Sequence, residues 1–229
     1  MNLGDLMGHL RCNVLRDQAP PYLWSDTELL RYINEAQSIF ARRTHCITDD
    51  ESDFTTFQTV VGEKSYSLDP RIIFVAEAGI VSDDGNGGNL SYCELVDRTR
   101  GQLKNSFVPG RPSAYNLQVA SQKMRLYPVP DDVYTVVMMV ARKPLYPLVN
   151  TKDQPEINED YQLALTDYAA WKALTNNDPE KANMASALDF KASWSMAVRD
   201  AKRDLARLRA GSTPRARANW TGKRAGSLF

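Results

Sequence analysis

Trp24-Ser25-Asp26-Thr27-Glu28-Leu29-Leu30-Arg31-Tyr32-Ile33-Asn34-Glu35-Ala36-Gln37 is the stretch whose reading decides the fold. Ser25 and Glu28 fit a capping box, in which the hydroxyl and the carboxylate each satisfy an amide left free where a helix starts. The helix so opened carries Leu29, Leu30, Ile33, Ala36 and Phe40 on one face. It ends in Arg42-Arg43, cations suited to a negative helix end. Upstream, Leu3, Leu6, Met7, Leu10 and Val14 recur at helical spacing and predict an amphipathic helix over 3–16, ending before Pro20-Pro21.

Downstream the pattern changes. Clusters of β-branched and aromatic residues at 54–61, 65–68, 72–81, 114–119, 123–127 and 134–143 predict strands, cut by Gly-, Asn- and Pro-rich turns at 83–89, 109–112 and 128–132. The interval 94–104 is assigned a short helix. After Pro155 a helical period returns in Ile157, Tyr161, Leu165, Tyr168, Trp171 and Leu174. Asp178-Pro179-Glu180 starts a further helix that meets no Gly or Pro until Gly211, long enough to overhang a small domain. The expected fold is therefore α+β: an antiparallel helical bundle of four main helices, an inserted antiparallel β-rich domain and an extended C-terminal arm. The divisions fall at 1–50, 51–150, 151–210 and 211–229.

A chain of 229 residues, 43% hydrophobic and 24% charged, has enough apolar material for its own core. Its longest apolar runs, such as 136–141, fall far short of the roughly 20 residues of a membrane span. The N-terminus lacks the basic start and apolar run of a secretory signal, so the chain is expected to stay in the cytosol where it is made. There the sequons at Asn89 and Asn219 carry no meaning, and Cys12, Cys46 and Cys93, without a C-x-x-C pair, read as small buried hydrophobes.

The sequence nominates no catalytic residue, cofactor site or metal site. His9 and His45 are the only histidines and lie in no metal-ligand spacing; His45-Cys46 are neighbours in sequence, a poor geometry for a nucleophile and its base. Asp49-Asp50-Glu51 with Asp53 reads as a solvated loop. A calcium loop begun at Asp84 fails at its fifth place, Gly88.

Charge is the informative feature. The chain is neutral as a whole, but from Lys202 onward eight basic residues face one acidic, Asp204, which leaves +7 there and −7 in the rest. Arg215, Arg217, Lys223 and Arg224 alternate with Trp220 and precede Leu228-Phe229. Arginine and aromatic side chains anchor protein interfaces, whereas phosphate contact needs mainly charge. These seven residues are the candidate partner-binding set, and the chain reads as a structural, self-assembling protein. A nucleic-acid-binding module using the same arm, and a hydrolase carried in a virion, are the rival readings.

The opening helix stretch resembles the start of phage head-to-tail adaptor (connector) proteins. Gly110-Arg111-Pro112-Ser113-Ala114-Tyr115, Leu126-Tyr127-Pro128-Val129-Pro130-Asp131, Arg142-Lys143-Pro144-Leu145 and Glu159-Asp160-Tyr161-Gln162-Leu163-Ala164-Leu165 are similar to the β-insertion and third helix of the same family, including members from short-tailed phages. The resemblance spans about 3–209. It implies a homo-oligomeric, twelve-fold ring at the head-tail junction of the virion, assembled in the host cytoplasm. Its partners would be the portal protein, bound through the arm, and tail or nozzle proteins, with DNA passing through without sequence-specific binding. A tail-completion or tail-terminator ring remains the nearest alternative within that class.

Overall fold

In a computed structural model of the chain, the described residues are 1–83, 90–98, 108–118, 121–176 and 184–212. Helix α1, Leu3–His9, starts on a complete capping box, with Asn2 accepting from the Asp5 amide and the Asp5 carboxylate from the Asn2 amide. The amides of Leu3 and Gly4 donate 2.8 Å bonds to the carbonyls of Asp153 and Thr151. Expected as one helix over 3–16, the segment continues as a π-helical turn, Leu10–Leu15, and stops at Arg16 in the left-handed conformation.

Helix α2, Asp26–Thr44, begins on Ser25, whose hydroxyl accepts from the Glu28 amide. Only half of the expected box forms, because the Glu28 carboxylate takes the Tyr32 hydroxyl at 2.8 Å. The later helical pattern is broken at Leu163 into α3, Glu159–Gln162, and α4, Ala164–Asn176. There Thr166 returns both its amide and its hydroxyl to the Leu163 carbonyl. Helix α5, Met184–Ser212, runs through Gly211; the start signal Asp178-Pro179 lies outside the described residues.

These helices share one core. Leu3, Leu6 and Leu10 meet Leu29, Tyr32, Ile33 and Phe40 of α2, Leu165 and Tyr168 of α4, and Trp194, Val198 and Ala201 of α5. Trp194 packs on Phe40 and Tyr168 at centroid distances of 5.5 and 5.0 Å, in tilted or edge-on geometry. Burying an indole and its aromatic neighbours is the largest apolar contribution here, and small alanines at 169, 170 and 173 let α5 approach α4 closely.

Among the described residues nine strands lie between the two helical parts: β1 Thr48–Asp49, β2 Thr56–Gln58, β3 Ser65–Ser67, β4 Ile72–Asp83, β5 Leu90–Glu94, β6 Val96–Asp97, β7 Ala114–Gln118, β8 Lys123–Tyr127 and β9 Thr135–Arg142. One sheet has the order β1-β9-β4-β5, with β2 also pairing β9; the other has the order β3-β8-β7-β6. Every pairing is antiparallel except β6 with β7, which is parallel and departs from the antiparallel expectation. The expected helix over 94–104 is not formed in its described part, where Glu94 ends β5 and Val96–Asp97 forms β6; residues 99–107 lie outside the description. Alternation explains the difference. Leu95 is buried at the step where the chain passes from one sheet to the other, while Tyr92, Glu94 and Val96 face solvent. Inward residues of both sheets, among them Val75, Ile80, Tyr115, Leu126, Val136 and Val140, form a second core.

Candidate assembly surfaces

The strand-to-helix crossing points are held by charge. Arg142, at the end of β9, reaches Asp49 with its Nε and Glu156 with its Nη1, the latter at 2.5 Å. Glu156 also accepts the Leu145 amide at 2.7 Å. Asp49, expected in a solvated loop, keeps only 8% of its side-chain surface. Burial alone would raise its carboxyl, but the Ser52 hydroxyl and amide, Arg142 and the Glu51 amide outweigh that and bring it down to about 2. His45, with φ 57°, ends α2 and stacks on Phe74 at 5.7 Å across the same junction. These contacts fix how the sheets meet the helices, and sequence reading missed them because Asp49 and Arg142 stand 93 positions apart.

At the start of the π-turn, Arg11 is a second hub. It bonds Asp17 at 2.8 Å, the Trp24 carbonyl at 2.8 Å and Asp26 at 2.7 Å, while Asp17 accepts the amides of Leu23 and Trp24. Arg11 and Asp17 are largely buried, yet the loop they shape leaves Tyr22 and Leu23 in water, Leu23 at 72% exposure. An ion pair taken from water is expensive, so its partners must be well satisfied to hold the loop in this form.

Helix α5 presents the longest surface. At 29 residues it extends about 43 Å. Its inner face ends at Ala201; from Lys202 to Leu208 all side chains are exposed save the half-buried Leu205, so the helix overhangs its core. On the outer face Met184, Leu188 and Met196 are exposed. Of the cations counted with the arm, Arg203 pairs with Asp200 at 2.6 Å and Arg207 with Asp204 at 3.5 Å. Asp204 also accepts the Tyr161 hydroxyl, and that bond, with some burial, pushes the phenol up to about 12. Nearer the core, Ser193 donates to Asp167 at 2.6 Å; burial raises the Asp167 carboxyl, against the opposing pull of that bond and of His9. The seven arm residues, Arg215, Arg217, Trp220, Lys223, Arg224, Leu228 and Phe229, lie outside the described residues, as does the loop begun at Asp84.

On the sheet, Tyr92 lays its ring over Gly79, where a Cβ would stand 2.2 Å from the ring. Glu77 and Glu94 flank its phenol, and burial and then these charges raise it. Tyr115 beside them is driven to about 12 by burial, then by Asp97, Glu94 and Glu77. Cys12 and Cys93, expected to be buried, are exposed, whereas Cys46, next to His45, has its thiol raised by burial, the opposite of an activated nucleophile.

Among the described residues no group of His, Cys, Asp or Glu could hold a metal ion, and no helix is long and apolar enough to cross a membrane. No curated protein matches the chain. The SU10 adaptor protein family matches it over residues 1–220, in agreement with the resemblance carried by the α2 stretch, and the chain belongs to that family.

Proposed function

We propose that this phage adaptor protein sits at the head-to-tail junction, where copies close into a twelve-fold ring beneath the portal, continue the DNA channel and offer the attachment site for the tail. The overhang of α5 carries this reading. A helix that runs past its own core spends folding energy on reach, and the 17 residues after it bring four cations and no acidic residue. Twelve such arms act together, so a contact too weak alone becomes firm by effective concentration. Arg215, Arg217, Trp220, Lys223, Arg224, Leu228 and Phe229 are the residues we assign to the portal contact. The remaining body is acidic, which suits a wall past which DNA slides, since each cation on phosphate strengthens retention.

Truncation after Ser212 tests the assignment. The shortened chain is expected to melt as the full chain does and to lose attachment to portal, measured by co-sedimentation and by electron microscopy of the mixture. Undiminished attachment removes the arm from the mechanism. Salt-dependent binding of the full chain to DNA, with none to portal, favours the nucleic-acid module instead.

A further inference from the structure

The sheet β1-β9-β4-β5 ends on both sides in edge strands, β2 beside β9 and β5 beside β4, whose outward amides at Gln58, Tyr92 and Glu94 have no partner among the described residues. We propose that the β5 edge of one copy pairs with the β2 edge of the next, so that this sheet continues from subunit to subunit; the inference rests on the ring reading and names its contact.

The hydrogen-bond phase identifies the free groups. Leu95 donates to the Ala78 carbonyl at 2.8 Å, which extends the β4–β5 ladder by one pair. Antiparallel alternation then aims the Cys93 amide at β4 and the Tyr92 and Glu94 amides outward. On the other side Thr59 donates to the Tyr134 carbonyl at 2.9 Å, continuing the β2–β9 ladder, so the Gln58 amide also points away from the sheet, while the Thr56 amide is taken by the Asp53 carbonyl.

Exposed edges are normally blunted by lysine, proline or a bulge. Thr56-Phe57-Gln58 and Leu90-Ser91-Tyr92-Cys93-Glu94 contain neither residue, and β5 pairs with β4 in unbroken register. Direction selects the occupant. β2, β9, β4 and β5 each run antiparallel to the next, so β2 and β5 point opposite ways. Setting β5 beside the β2 of a following copy keeps the alternation. Pairing β5 with another β5 would close a two-fold dimer and leave both β2 edges bare, whereas the head-to-tail arrangement uses both edges of every copy. On the solvent face Tyr92, 55% exposed, and Glu94 would come beside the neighbour's Thr56 and Gln58, giving aromatic and polar cross-strand pairs.

Proline tests this without touching the internal ladders, because at Glu94 or Gln58 it deletes an outward amide. Full-length Glu94→Pro and Gln58→Pro are compared with Glu94→Ala, which keeps the amide, by sedimentation and native mass spectrometry. Each proline variant is expected to raise the concentration for half-assembly at least about tenfold, and the alanine variant to assemble as wild type. In parallel, amide exchange on the wild-type chain reads positions 58, 92 and 94 in the monomer and in the assembly, whether or not the variants fold. Protection gained on self-assembly bears the inference out. Folded proline variants that assemble normally overturn it, as does wild-type assembly with these amides unprotected or protected only when a tail protein is added. A wild-type chain that never self-assembles, alone or with portal, defeats the ring reading instead.

Discussion

Replacing Arg142 by Met keeps the length of the side chain and removes the charge that ties Asp49 to Glu156. Removing one partner of a buried pair costs about 3–5 kcal/mol because the other charge is left uncompensated. Here the lower end applies: Asp49 keeps the Ser52 hydroxyl and two amides, and Glu156, with 28% of its side chain exposed, can rehydrate. A loss of about 3 kcal/mol should lower the melting temperature of a chain this size by roughly 6–12 °C. The acid limb gives an independent reading. The Asp49 carboxyl is depressed from 3.8 to about 2, so its contribution is complete above the ordinary value and is lost as pH falls through the depressed one. The full shift corresponds to about 2.4 kcal/mol. In Arg142→Met the carboxyl moves back toward its ordinary value, so this group loses less stability as pH falls below about 4, and the acid limb of the variant should be shallower than that of wild type. Scanning calorimetry between pH 7 and pH 2 measures both effects. A loss below about 1 kcal/mol at neutral pH, with an acid limb as steep as wild type's, would refute the junction role.

Two further perturbations probe the helical part. Trp194→Ala should cost about 3–5 kcal/mol in a urea titration, since the ring is 1% exposed and braces Phe40 and Tyr168. Ser25→Ala should cost about 1 kcal/mol by removing the bond to the Glu28 amide, and Ser25→Asp should restore most of it in the same assay.

What could be read from the sequence was whatever is local. The period of α2 and its cap, the strand β8 at 123–127 and the overhang of α5 follow from spacing and turn chemistry within one or two turns of chain. The step through Leu95 was misread because Glu94, Asp97 and Arg98 make that segment look like a solvated helix, whereas its place is set by pairing with β4 and β7, far off in sequence. The hub at Arg142 was invisible for the same reason, and that at Arg11, whose partners lie 6 to 15 positions away, because nothing local marks it as buried. A buried arginine and a surface arginine have the same letter, and only the assembled fold brings the carboxylates to one of them. The free edges of β2 and β5 likewise became candidates only once strand order was known.

The helical core is drawn from two stretches far apart in the chain, residues 3–40 and 148–201, whereas the sheet core closes within 54–140. On the ribosome the sheets can therefore consolidate while α5 is still unmade. Helix α1 must wait, because the carbonyls that receive its first amides belong to Thr151 and Asp153. A nascent chain of which only about the first 150 residues have emerged would carry finished strands beside two orphan helices, with Leu29, Ile33 and Phe40 open to chaperones until the closing segment follows.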